Sequence, residues 1–150
     1  MRLALLLSSI FLLSACSGGE EATPEKAVTV SVLMPTHAWA RTSRPPHENS
    51  AAFLQIENKG SASRRLIGAS TPRAGVAELH SMEIIDDKMK MRRVDSFSIA
   101  PGETLVLKPG SSHLMFFELD SAWEEGQVIP ITLEFEKGGA ITIEAPVKVQ

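Results

Sequence analysis

Histidine and methionine recur together in this sequence at a spacing of two. His80-Ser81-Met82, Met89-Lys90-Met91 and His113-Leu114-Met115 gather four of the six methionines and two of the four histidines. On a β-strand, residues i and i+2 project to the same face. Each pair would therefore present its two side chains side by side. Thioether sulfur is soft and neutral; it suits Cu(I) and offers little to Zn(II), Mg(II) or Ca(II), while imidazole adds a stronger nitrogen donor. A His and Met set without thiolate or carboxylate ligands favours Cu(I), with Ag(I) as its chemical mimic. The competing reading is packing. Methionine is flexible and apolar and fills gaps in cores, and Met82 and Met89 fit a core or its rim as well as they fit a metal.

Other chemistries find little support. The only cysteine is Cys16, placed where export would process it. A blue-copper electron-transfer site needs a cysteine ligand, and thiol–disulfide exchange needs a free thiol. No nucleophile with a matching base, no carboxylate pair at a recognisable spacing and no glycine-rich phosphate loop stands out. The expectation is a binding protein and not an enzyme.

The donors need elements to hold them, and the first residues are set aside before those are sought. Met1-Arg2 is a short positive start, Leu3 to Leu13 is apolar apart from Ser8 and Ser9, and Leu13-Ser14-Ala15-Cys16 follows. A short apolar run of this kind reads as a secretory signal, too short to persist as a spanning helix. The Leu-Ser-Ala-Cys end resembles a bacterial lipobox, which makes residues 1–15 a signal peptide and Cys16 the lipidated first residue of the mature chain. Each buried lipid methylene is worth about 0.8 kcal/mol, so two or three acyl chains would hold the protein on a membrane. Residues 16–26 are small, polar and acidic and read as a flexible tether. Without Arg2 the chain keeps 14 basic against 18 acidic residues, which argues against nucleic acid as a partner. Residues 27–150 remain as one domain, long enough to form a core by packing alone.

That domain reads as strands. Residues 28–34 alternate Val28, Val30, Val32 and Met34 with Thr29, Ser31 and Leu33. Further strands are expected at 52–57, 64–69, 76–85, 89–94, 104–107, 112–119, 128–136 and 140–149. Asn58-Lys59-Gly60, Asp86-Asp87, Pro101-Gly102, Pro109-Gly110 and Lys137-Gly138-Gly139 supply turns between them. No stretch after residue 26 holds a 3.6-residue apolar period over three turns. Many short strands punctuated by turns indicate an antiparallel sandwich or barrel. His37 and His47 fall in a Pro-rich stretch read as a solvated loop, with a second copper contact as the alternative; Trp39 is expected in the core, with a cover over the metal as the alternative; Arg92-Arg93 is expected at a solvated strand edge.

The long-range spacing carries a resemblance. His80, ten residues, Met91, twenty-one residues, His113, one residue and Met115 fit the H-x10-M-x21-H-x-M pattern of the periplasmic copper chaperones called PCu(A)C. Met89-Lys90-Met91-Arg92, Ile99-Ala100-Pro101-Gly102 and Leu107-Lys108-Pro109-Gly110 resemble the family locally, as do Ala38-Trp39-Ala40-Arg41 and Ala51-Ala52-Phe53-Leu54 upstream. The resemblance spans roughly residues 28 to 148. It implies an all-β, cupredoxin-like (Greek-key) antiparallel β-sandwich that binds one Cu(I) through His80, Met91, His113 and Met115, with Met82 and Met89 as accessory candidates. It also implies delivery of copper to the Cu(A) centre of cytochrome c oxidase on the periplasmic side of a bacterial membrane; the acceptor is expected to be subunit II of that oxidase or another copper protein, and the chain is expected to act as a monomer. A copper-storage or resistance lipoprotein, or a lipid-anchored protein-binding sandwich without metal, are the competing functions. The chain departs from the pattern in two places: Arg93 stands where many relatives carry proline, and Ser111-Ser112 replaces the commoner glycine and aromatic before His113.

Overall fold

The computed structural model describes residues 32–43, 49–137 and 139–150. The signal, Cys16, the tether, the beginning of the first expected strand, His47 and Gly138 of the last hairpin lie outside these residues. Every regular element among the described residues is a strand: β1 (Leu33–Arg41), β2 (Asn49–Asn58), β3 (Arg64–Ser70), β4 (Ala74–Ile85), β5 (Lys88–Val94), β6 (Phe97–Ile99), β7 (Thr104–Leu107), β8 (His113–Leu119), β9 (Val128–Phe135) and β10 (Gly139–Lys148). They are ordered β5-β4-β8-β2-β1-β10-β9-β3-β6, with β7 paired to β2. All pairings are antiparallel except β1 with β10, which run parallel over Ala40↔Val147 and Arg41↔Lys148. That parallel pair links the two layers of an all-β sandwich, as expected from the many short, turn-bounded strands.

Alternation explains the layers. In β9, Ile129, Ile131, Leu133 and Phe135 are buried, and the residues between them face outward. Leu66 and Ile99 join them from β3 and β6, while Leu54, Ile56, Leu114 and Phe116 close the core from β2 and β8. The largest side chain in this core is Trp123, fully buried in the connection between β8 and β9. β2 is buried on both sides: Ala52, Leu54 and Ile56 enter the core, whereas Ala51 and Phe53 join Met115 in a separate small cluster on the outer face, with Trp39 and Phe117 against it.

Three expectations need correction here. His37 belongs to β1 and not to a loop. The β1–β2 register shifts between Thr36 and Trp39, and His37 takes φ 53° at this bulge. A bulge inserts a residue and bends the strand, and His is among the residues that tolerate such a φ, so the segment looks loop-like in sequence. Trp39 is half-buried in the outer cluster, its ring 4.5 Å from Phe53, and not in the inter-sheet core. Phe97–Ile99 forms β6, a short strand that no alternating run announced.

The turns behave as their chemistry predicts. Asp86 and Asp87 have φ of 53° and 58° between the paired Ile85 and Lys88, a two-residue hairpin with both central residues left-handed. At Lys108-Pro109-Gly110-Ser111 the Ser111 N–H donates to the Lys108 carbonyl at 3.1 Å and Gly110 has φ 72°. This is a type II turn, where proline presets the first central residue and glycine accepts the positive φ of the second. The turn ends two residues before His113, the first residue of β8.

Candidate metal centre

His80 and His113 come together although they are far apart in sequence. β4 lies between β5 and β8, and the β4–β8 register sets His80 directly opposite His113 and Glu78 opposite Met115. The β4–β5 register sets Met82 opposite Met91 and Arg93 opposite His80. Leu79 and Leu114 point into the core, so by alternation Glu78, His80, Met82, Met91, His113 and Met115 all lie on the outer face of this sheet. The donors are thus on the strands themselves, with His113 at the start of β8.

The two rings are 5.7 Å apart between centroids. Both are buried, at 8% exposure for His80 and 6% for His113. Met82, Met91, His113 and Met115 line one open cleft of about 150 Å³, together with Arg41, Phe53 and the Pro109-Gly110 turn. Exposure divides the donors. Met115 is buried, whereas Met91 is 52% exposed. Met89 pairs with Ile84 farther along the hairpin, is 58% exposed and is not part of the cleft wall. Of the two accessory candidates, the fold therefore brings Met82 to the cleft and leaves Met89 outside it.

Hydrogen bonds fix which ring nitrogens remain for a ligand. His113 Nδ1–H donates to the Ser111 carbonyl at 2.8 Å, leaving Nε2 as the lone-pair nitrogen. His80 does the reverse: Nε2–H donates to Glu78 Oε2 at 2.8 Å, and its buried Nδ1 has no hydrogen-bond partner among the described residues. A buried polar atom without a partner costs about 1–3 kcal/mol, and a metal ion would satisfy it. No three His, Cys, Asp or Glu side chains converge among the described residues; the further soft donors beside the two imidazoles are the thioethers that line the cleft. Two imidazole nitrogens and the sulfurs of Met91 and Met115, with Met82 at hand, form a neutral, soft donor set.

Electrostatics keep His113 ready to bind. Burial pushes its pKa below 6.5, and the charges of His80 and Arg41 push the same way, against the Ser111 carbonyl, which raises it. The unfolded chain therefore takes up this proton before the folded one does as pH falls. Stability of the metal-free protein should be level above pH 6.5 and fall as pH drops from 6.5 through the folded-state pKa. Proton competition with a metal at His113 is likewise moved to lower pH than for an exposed histidine. Thermal melts of the wild type and His113→Gln against pH check this; identical profiles for the two would exclude it.

Comparisons with known proteins agree with the all-β fold. A family model described as "Putative lipoprotein LpqE-like" matches residues 33–147. A protein of Leifsonia xyli subsp. xyli described as "Putative lipoprotein Lxx21020" is 36% identical over 100 residues, 66% of this chain. The match spans 60% of that relative's length. Among solved structures, the copper-bound PCuAC domain from PmoF2 superposes with a TM-score of 0.67 at 24% identity, covering 79% of this chain and 94% of that domain. Cu(I)-DR1885 from Deinococcus radiodurans superposes at 0.57 with 28% identity, covering 89% and 85%.

Proposed function

Because the chain belongs to the LpqE-like, PCuAC-type family, we propose that it is a copper carrier that binds one Cu(I) through His80, Met91, His113 and Met115. The observation that carries the reading is the pairing of two buried histidines in register, one with an unpartnered Nδ1, beside a cleft walled by three methionines. Met82 serves as a further thioether within reach of the cargo. Arg41 in the cleft wall supports a monovalent ion, since a fixed positive charge opposes a divalent cation twice as strongly.

Function follows from the difference in exposure. The histidines and Met115 hold the ion from beneath, while Met91 closes it from the solvent side. Neutral thioethers release Cu(I) to a partner that offers thiolates, and the exposed Met91 is the donor such a partner displaces first. The acceptor in this reading is the Cu(A) centre in subunit II of cytochrome c oxidase, approached from the periplasmic face. Cys16, lipidated after removal of residues 1–15, would keep the carrier at that membrane; the lipobox-like sequence supports this. A Cys16→Ser variant should leave the membrane fraction, and its full retention there would exclude the anchor.

The test of the carrier is a Cu(I) titration of the domain against a chromophoric chelator. One equivalent withdrawn from the chelator is the expected result. No withdrawal at all would remove the metal site and leave the methionines as packing residues.

A further inference from the structure

Glu78 was not among the residues that the sequence pattern marked, yet its carboxylate bonds directly to the His80 ring. Its Oε2 accepts the His80 Nε2–H at 2.8 Å, and its Oε1 lies 3.4 Å from Arg93 Nη1. Glu78 is partly buried, whereas Arg93 is open to solvent. The β4–β5 register places Arg93 opposite His80, so it reaches the carboxylate from the neighbouring strand. The three side chains form a row: guanidinium, carboxylate, imidazole.

We propose that Glu78 is a positioning residue that fixes the tautomer of His80 so that Nδ1 is presented to Cu(I), and that Arg93 holds Glu78 in that role. This inference rests on the copper site proposed above. An imidazole whose second N–H is unrestrained divides between two tautomers and turns about χ2. Only one of those tautomers exposes a lone pair on Nδ1. A carboxylate on Nε2–H selects it and makes the ring a better donor. The consequence is a mixed pair of ligands: His80 binds through Nδ1 and His113 through Nε2, each set by the partner of its other nitrogen.

Arg93 adds a second effect. Glu78 faces Met115 across the β4–β8 pair, so a free carboxylate would stand beside the soft donors and attract hard divalent cations. Engaged on one oxygen by His80 and on the other by Arg93, it is withheld from the metal. Arg93 thus acts as a selectivity residue.

The experiment uses the domain labelled with 15N at histidine, without metal and with Cu(I), in the wild type and in Glu78→Ala, Glu78→Gln and Arg93→Ala. In the wild type without metal, His80 should show a protonated Nε2 and a lone-pair Nδ1, and Cu(I) should shift Nδ1. Glu78→Ala should average the two nitrogens and lower Cu(I) affinity about 10- to 100-fold. Glu78→Gln keeps an acceptor for Nε2–H and should restore the tautomer and most of the affinity. This rescue separates positioning from mere loss of packing, and it stands even where the alanine variant fails to fold. Arg93→Ala should cost only about 1.5- to 5-fold in Cu(I) affinity, as for an exposed ion pair, while Zn(II) binding rises. Protonation of Nδ1 in the wild type, a Cu(I) shift on Nε2, or unchanged tautomer and affinity in Glu78→Ala would each overturn the proposal. A wild-type domain that ignores Cu(I) would instead overturn the copper reading itself, and the metal role of Glu78 with it.

Discussion

His113→Ala lowers Cu(I) affinity by at least about 100-fold, the largest loss expected from any single substitution in the site. Removing an outer partner of a ligand already costs about 10- to 100-fold, and removing the ligand itself must exceed that. His113 is the best-prepared donor of the set: the Ser111 carbonyl holds its Nδ1–H, burial keeps the ring neutral, and the type II turn before it fixes the start of β8. Its ring lies on the outer face of the sheet against Phe53 and His80, so truncation leaves the inter-sheet core untouched. Met91→Leu should cost far less, about tenfold, because a thioether is the weaker donor and Met82 stands directly opposite to replace it. Chelator competition gives both affinities, and thermal melts of the same samples show whether the fold survives. A His113→Ala protein with wild-type affinity, or a Met91→Leu loss larger than that of His113→Ala, would overturn the assignment.

The sequence announced the parts of this site but not how they meet. Spacings of two placed His80 with Met82 and His113 with Met115 on common faces, because side-chain direction in a strand is a local property. That His80 stands opposite His113 depends on the β4–β8 register, a non-local pairing that no short window contains; the long-range spacing reached it only through resemblance to a family. Glu78 had a local signal that went unread, since Glu78-Leu79-His80 has the same i, i+2 spacing as the His and Met pairs. Its link to Arg93 had none, being set by the β4–β5 register. The strands were legible where turns bounded them, as with Asp86-Asp87 and Pro109-Gly110. They were hidden at the β1 bulge, where Pro35 and His37 imitate a loop, and at the short β6.

Trp123 is the largest residue that the sequence left unremarked, and Trp123→Ala should be the most damaging core substitution. Ser121-Ala122-Trp123-Glu124 has no alternation to signal a buried position, yet the side chain is fully buried with its ring 5.3 Å from Phe116. Its backbone is pinned as well: Trp123 N–H donates to Ser43 Oγ at 2.8 Å, and its carbonyl accepts the Ser43 N–H at 2.9 Å. This ties the β8–β9 connection to the residues just beyond β1. Truncating a buried tryptophan to alanine costs about 3–5 kcal/mol, a large share of the roughly 5–15 kcal/mol that holds a domain together. The midpoint of thermal unfolding should fall by roughly 10–20 °C. Trp123→Phe should cost less than Trp123→Ala, because it leaves the smaller cavity. It keeps an aromatic ring against Phe116 and removes the indole Nε1–H, a buried donor with no partner among the described residues. Neither change should alter Cu(I) affinity in the folded fraction, because Trp123 packs between the sheets and the donors lie on the opposite face of β4 and β8. A Trp123→Ala protein that melts with the wild type would mean that this core does not depend on the indole. One that melts early yet binds one Cu(I) with unchanged affinity would separate what holds the sandwich together from what holds the metal.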